Sequence, residues 1–340
     1  MSSLKPIAEQ AIVVLGASSG IGRETALQLG KQGAKLIVAA RSTKGIETLV
    51  NEIKSFKRSE VEGVICDVAD FDQVKALAKK CFDKFGRIDT WVQPAGVTLF
   101  AKFEDTTEEE MRRVMDVNFL GQCRGAWAAL PYLKKNSNGG ALIHVGSVES
   151  KRSIPNQSAY SSSKHAMDAF TEALRVELAQ EKSNVSVTLV MPSNIDTPFY
   201  EKCRTKVDGG KYVYTGPSPT YKASHVAGAI IHAATNRVRR VTVGDGGAFL
   251  SLVQGVAPST IDIAFTLGGD ALMRTGELKR KDDNLYQAID EVEINRVKGV
   301  GMYPMPFSLY NWWFERPIAQ YVTYALFVLL LSWVYMKLSN

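Results

Sequence analysis

Apolar residues in this chain gather into short runs separated by segments of helical period. The first run, Ala11 to Leu15, passes through "GASSGIG" into an amphipathic stretch, and a second run, Lys35 to Ala40, follows. The alternation then repeats. "VEGVICDVAD" and "IDTWVQPAG" read as strands around the helix "FDQVKALAKKCFDKFG". After them come a long helix, "TTEEEMRRVMDVNFLGQCRGAWAALPYLKK", the strand "GALIHVGS", the helix "NQSAYSSSKHAMDAFTEALRVEL" and the strand "VSVTLVMPS". A last run, "RVTVGD" at 240–245, completes a set of seven. Short apolar strands between amphipathic helices predict a parallel sheet covered on both faces. The fold class is α/β, a doubly wound (Rossmann) seven-stranded sheet in one domain over residues 8–250.

Residues 251–316 mix a charged patch, Lys279 to Asp283, with a predicted helix, "DNLYQAIDEVEINRVK", and read as an extension and connector. Residues 317–338 are different. From Pro317 to Met336 there are 20 residues without a charge, and a helix of that length spans about 30 Å, roughly a bilayer core. Tyr303, Phe307, Tyr310, Trp312, Trp313 and Phe314 precede it, the residue types expected at a membrane interface. The segment is a candidate transmembrane helix; a buried hairpin, a dimer-interface helix and an in-plane helix are the competing readings. The simplest topology is a single-pass membrane protein with its folded domain in the cytoplasm, although Arg316 and Lys337 balance each other as orientation signals.

Composition narrows the function classes. The chain has 340 residues, 45% hydrophobic and 22% charged, the profile of a globular protein. Its net charge of +6 is scattered, without the clustered basic face of a nucleic-acid binder. Cys66, Cys81, Cys123 and Cys203 form no CxxC pair and have no histidines at metal-ligand spacing, so buried thiols in a reducing compartment are expected and a zinc site is not. "MSSLKPIAEQ" lacks the apolar run of a secretory signal.

Gly16, Gly20 and Gly22 stand at the turn from first strand to first helix, where a dinucleotide site needs a tight turn, close phosphate approach and helix N–H groups aimed at an anion. The second strand ends in Ala40-Arg41, with no acid for a ribose 2′-hydroxyl. An arginine there pairs with a 2′-phosphate, which favours NADP(H); a merely solvated Arg41 is the competing reading. Tyr160 and Lys164 lie four residues apart on a predicted helix, so they share a face. A lysine cation beside a phenol favours the phenolate and lowers its pKa.

With these residues in view, the chain resembles the short-chain dehydrogenase/reductase family over about residues 8–250. The resemblance implies a catalytic set of Asn118, Ser147, Tyr160 and Lys164. It implies cofactor contacts from Gly16, Ser18, Ser19, Gly20, Ile21, Gly22 and Arg41, from Asp67 and Val68 at the adenine, and from Ala95 and Gly96. Tyr160, Lys164, Pro192, Ile195 and Thr197 complete the cofactor contacts. Leu15 stands where a threonine is usual, Gln93-Pro94 replaces two asparagines, and Ser193 replaces a glycine. Those departures predict rearranged cofactor packing around an intact site, since Pro94 removes a backbone donor. The implied chemistry is hydride transfer between NADP(H) and a carbonyl or alcohol. In it Tyr160 is the general acid/base, Lys164 tunes it and holds the nicotinamide ribose, Ser147 polarises the carbonyl, and Asn118 holds a water that reconnects Lys164 to solvent.

The implied assembly is a homodimer or homotetramer. Residues 199–224 are the expected substrate lid, with Tyr200, Tyr212, Tyr214 and Tyr221 as candidate lining, and Glu149 and Pro155 are nearby candidates. A membrane tail would favour a lipophilic small molecule as substrate. The rival class is a membrane-associated NADP(H)-binding regulatory module without turnover, favoured by the altered "QPAG" and "MPS" motifs.

Overall fold

The computed structural model describes residues 4–210, 212–214, 219–277, 282–290 and 304–314, with 316, 319 and 323. The strands of its central sheet are β1 (Ala11–Leu15), β2 (Lys35–Ala40), β3 (Val61–Ile65), β4 (Thr90–Gln93), β5 (Ala141–Val145), β6 (Ser186–Pro192) and β7 (Arg240–Val243). All seven predicted strands are present. They pair in parallel in the order β3-β2-β1-β4-β5-β6-β7. β1, β5 and β6 are buried at every residue, which is why they read as unbroken apolar runs.

The helices are α1 (Gly20–Lys31), α2 (Thr43–Ser55), α3 (Phe71–Phe85), α4 (Glu108–Met115), α5 (Gly121–Leu133), α6 (Ser158–Gln180), the short α7 (Phe199–Lys202), α8 (Ala223–Thr235), α9 (Asp245–Val256), α10 (Pro258–Met273) and α11 (Leu309–Phe314). α1, α2 and α8 cover one face of the sheet, with Leu29, Leu49, Ile53 and Ile230 packed over Ile12, Val14 and Leu36. α3, α5 and α6 cover the other, with Leu77, Ala129 and Leu174 over Val13, Leu15 and Trp91. Helix starts are fixed locally: Ser42 caps α2, Asp70 caps α3, and Thr107 with Glu110 forms a capping box on α4.

Strand order reverses between β1 and β4, so the loops leaving their C-terminal ends diverge and open a crevice, the usual ligand position in such sheets.

Two expectations change here. The single long helix predicted after β4 is α4 and α5 joined through a π-helical turn, Asp116–Leu120. Periodicity cannot show one wider turn, and this one carries Asn118. The helix predicted from Asp283 onward is absent over residues 282–290, which form an irregular strap; 291–298 lie outside the described residues. Its backbone groups bond elsewhere: the carbonyls of Asn284 and Tyr286 accept from Arg41, that of Leu285 from Arg113, and Asn284 N–H donates to Lys202. Asp283 also accepts from the N–H of Leu285, a local bond that competes with helix.

The candidate transmembrane segment 317–338 lies outside the described residues apart from 319 and 323. Among the described residues no single helix is long and apolar enough to cross a membrane. α9 with residues 258–269 reaches that length and composition, but the pair is bent by 120°.

Candidate active site

The crevice is built first by glycines. β1 ends at Leu15 and Gly16 turns the chain with φ of 108°; a β-carbon on Gly16 would stand 2.4 Å from the backbone nitrogen of Ala95. One on Gly22 would stand 2.0 Å from the carbonyl oxygen of Gly16. The loop therefore closes on itself and on the segment after β4. Gly20 begins α1, and its missing side chain faces Thr197 at 3.2 Å. Ser19 is the N-cap of α1 but its side chain bonds no first-turn amide, so those N–H groups keep their capacity for an anion. This glycine cradle, leading into a helix start without a side-chain acceptor, fits the pyrophosphate of a dinucleotide.

One continuous cleft joins the predicted cofactor contacts. Gly16, Ser18, Ser19, Gly20, Ile21, Gly22, Arg41, Asp67, Val68, Ala95, Gly96, Tyr160, Lys164, Pro192, Ile195 and Thr197 all line it, and Ser147 does too. Asn118 does not reach the cleft wall. It is fully buried, donates to Val97 O and Ser163 Oγ at 2.9 and 3.0 Å, and accepts from Val97 N–H at 2.9 Å. A β-carbon on Gly96 would meet Asn118 Oδ1 at 3.4 Å and Lys164 Nζ at 4.0 Å, so Gly96 passes between the two.

Ser147 ends the loop after β5, and Tyr160 and Lys164 sit on the first two turns of α6. Lys164 Nζ donates to Val145 O at 3.0 Å and lies 5.3 Å from the centre of the Tyr160 ring. The expectation that Lys164 pulls the phenol toward neutrality does not hold in this geometry. Burial, reinforced by Glu149 and Tyr200, holds Tyr160 well above 10, and the opposing influence is a hydrogen bond with Ser147. Desolvation disfavours the phenolate, and it brings the Lys164 ammonium down to about 8 against the pull of Glu149.

The departures from the family pattern are only partly absorbed: among the described residues Gln93 Nε2, Gln122 Oε1 and Ser193 Oγ are buried without a hydrogen-bond partner. Gln93 turns its carbonyl to Gln122 Nε2 at 2.6 Å and its side-chain oxygen to Trp91 Nε1 at 3.3 Å. Pro94 needs no donor, because Ala95 N–H makes the bond to Leu15 O at 3.2 Å. Ser193 fits because glycines face it: β-carbons on Gly244 and Gly247 would approach its side chain to 2.3 and 2.8 Å.

The lid region is only partly as expected. Tyr200 lines the cleft, together with Phe199, whose ring lies 5.9 Å from that of Tyr160. Tyr221 is buried in the core instead, with its hydroxyl toward Asp245. The backbone of 212–214 pairs with Arg274–Glu277. Pro155 lines a separate shallow depression. Sequence reasoning missed Asn284, Ala288 and Ile289, which line the cleft from the strap. Asn284 is held through its backbone, by Arg41 and Lys202, which leaves no compositional signal.

Glu149 is buried beside the cluster, not in the cleft, and accepts a hydrogen bond from Ser161 Oγ at 2.6 Å. Burial pushes its carboxyl from 4.5 up to about 8 despite Ser161 and Lys164. Between those pH values the folded chain keeps a proton that the unfolded chain has released. This contribution to stability is therefore complete below pH 4.5 and is lost as pH rises to about 8. Glu149→Gln removes the titration. At pH 8 the variant is expected to be about 2–4 kcal/mol more stable than the parent, at about 1.4 kcal/mol per unit less some relaxation. Urea melts at pH 8 and pH 5 check this, and equal midpoints at pH 8 would refute it. The four cysteines are free and buried, and burial raises Cys66 and Cys81 to about 12, so they are inert thiols.

A family model described as short chain dehydrogenase matches residues 10–208. The chain belongs to the short-chain dehydrogenase family. Within that family it is 37% identical over 259 residues to an uncharacterized oxidoreductase, YxnA, of Bacillus subtilis (strain 168), covering 76% of this chain and 72% of that protein. The 3-ketodihydrosphingosine reductase of Bos taurus is 32% identical over 254 residues, covering 73% and 76%. An alcohol dehydrogenase from the archaeon Thermococcus sibiricus, complexed with 5-hydroxy-NADP, matches with a TM-score of 0.59 at 28% identity, covering 68% of this chain and 94% of that one. This short-chain dehydrogenase is thus an oxidoreductase of a family that binds a nicotinamide cofactor.

Proposed function

We propose that the protein is an NADP(H)-dependent oxidoreductase interconverting a carbonyl and a primary or secondary alcohol on a lipophilic substrate. The observation that carries this reading is the meeting of Ser147, Tyr160 and Lys164 at the end of the glycine-lined cleft. When bound, the nicotinamide gives or takes the hydride. Tyr160, its proton retained by burial, donates to the alkoxide oxygen as charge develops there. Ser147 donates a hydrogen bond to the same oxygen. Lys164 supplies the cation beside the phenolate that remains, and Asn118 fixes the Gly96–Val97 segment against α6. In oxidation the proton runs back and Tyr160 is the base. Arg41, whose guanidinium pKa burial lowers with Asp67 opposing, supports the choice of NADP(H) by its charge.

An exposed apolar face beside the catalytic loop supports the lipophilic substrate. Phe249, Leu252 and Val256 on α9 and Ile263 and Leu267 on α10 are each 60–82% exposed. Arg152, just after Ser147 in the chain, bonds Gln254 and Asp262, and so ties the catalytic loop to both helices. The uncharged stretch 317–336 follows α11, which packs against α9. We read this side as the one that meets a membrane, with the tail as its anchor. The keto-lipid in the bovine relative's name agrees with that substrate class. A homodimer or homotetramer would use the exposed Trp127 and Val176 of α5 and α6.

The test is NADPH oxidation by the full chain against a panel of long-chain ketones, sugars and polyols, with and without liposomes. Lipophilic ketones are expected to win by more than about tenfold in kcat/KM. The double variant Leu252→Glu, Leu267→Glu should lose vesicle-stimulated turnover and keep its rate on a soluble ketone. Preference for sugars would reject the substrate class, and a full panel without turnover would favour the regulatory reading.

A further inference from the structure

The strap at 282–290 crosses the cleft where β2 delivers Arg41 and Ser42. Arg41 Nη2 donates to Asn284 O at 2.8 Å and Nη1 to Tyr286 O at 3.2 Å, while Ser42 Oγ donates to Asp290 Oδ1 at 2.6 Å. Arg41, Ser42, Asn284, Ala288 and Ile289 line one end of the same cleft. The strap is firmly seated. Leu285 is fully buried in the core beneath it, Arg113 Nε donates to Leu285 O at 2.9 Å, and Asp283 pairs with Arg204 Nε at 2.8 Å.

β2 itself offers no acid to a ribose 2′-hydroxyl, yet the strap brings one, Asp290, onto Ser42. A carboxylate accepts a hydrogen bond from a hydroxyl. It repels a phosphate of about −1.5 to −2 charge. The same serine hydroxyl cannot serve Asp290 and a 2′-phosphate at once, because it has one proton to give. Arg41 pulls the other way: among the described residues its hydrogen bonds go to two neutral carbonyls, with Asp67 as a nearby charge.

We propose that Asp290 is a cofactor-specificity residue, supplied by the C-terminal extension, that opposes Arg41 and narrows the preference of the adenosine end of the cleft for a 2′-phosphate. NADP(H) binds by displacing Asp290 from Ser42; NAD(H) binds with the strap in place. The ratio of the two affinities is set by the balance of Arg41 and Asp290. This rests on the reading of the cleft as a dinucleotide site with the adenosine ribose beside Arg41 and Ser42.

The experiment is calorimetric binding of adenosine 2′,5′-bisphosphate and of adenosine 5′-monophosphate to the full chain and to Asp290→Ala, Asp290→Asn and Arg41→Ala. Asp290 is exposed, so its replacement leaves the core untouched, and the asparagine keeps its shape while removing its charge. Both Asp290 variants are expected to raise the preference for the 2′-phosphorylated ligand about tenfold, and Arg41→Ala to lower it about as much. If Arg41→Ala lowers the preference while both Asp290 variants leave it unchanged, the strap has no part in specificity and the cofactor reading stands. If Arg41→Ala also leaves it unchanged, the cofactor reading fails and the specificity role falls with it.

Discussion

Tyr160→Phe is expected to lower kcat by about 10³-fold while leaving NADPH affinity within about a factor of two. General acid catalysis by a positioned side chain is worth roughly 10²–10⁴ in rate. Here the phenol is buried, with Ser147 as its hydrogen-bond partner, and held well above 10, so at neutral pH it is a proton source. The phenylalanine ring keeps the contact with Phe199 and the place under Lys164, so folding and cofactor binding have little reason to change. Stopped-flow single turnovers with NADPH and the best ketone from the panel separate the chemical step from release, and cofactor titration by fluorescence supplies the affinity. Parent-like turnover in a folded, cofactor-binding Tyr160→Phe would remove the proton-donor role.

How much of this was legible in the sequence follows from which physical signals the residues leave. The seven strands were readable because both faces of the sheet are covered, so buried strands become apolar runs such as "AIVVL" and "ALIHV". The cleft was readable because its residues hang on the ends of those strands and on one face of α6, where spacing fixes position. The π-turn at Asn118 was not, since a single wider turn leaves the apolar period almost intact. Nor was the strap. "DNLYQAIDEVEINRVK" has helical composition, but the guanidinium groups of Arg41 and Arg113, more than 170 residues upstream, claim the carbonyls of residues 284–286. The Tyr160 environment escaped for a related reason: a four-residue spacing reveals that Lys164 is near, and only the packing reveals that burial outweighs it. Tyr221 shows the same limit, a lid candidate by position that the core has taken.

Gly22→Ala gives the second large effect, and its sign runs against local propensity. Gly22 lies inside the first turn of α1, where alanine is favoured over glycine by about 1 kcal/mol, so a sequence-based expectation is a more stable helix. The added methyl would stand 2.0 Å from the carbonyl oxygen of Gly16, 2.8 Å from its carbon and 3.0 Å from Pro94 Cγ. The first two are backbone atoms of the loop, and Gly16 is itself held by its N–H bond to Ala39 O at 2.7 Å and by its closeness to Ala95. Relief therefore moves the phosphate-facing turn or tilts the start of α1. Overpacking of this kind costs about 1–3 kcal/mol, enough to reverse the propensity gain. The displaced amides should weaken dinucleotide binding by about 100-fold or more. Gly86→Ala is the matched control. It sits at φ of 71° in the C-cap of α3 with no atom within 4 Å of the added carbon, so it should cost about 1 kcal/mol in conformation and leave binding alone. Urea midpoints and cofactor titrations on the two variants decide the matter: if Gly22→Ala binds as the parent does, the contact between Gly22 and Gly16 is not what shapes the loop for phosphate.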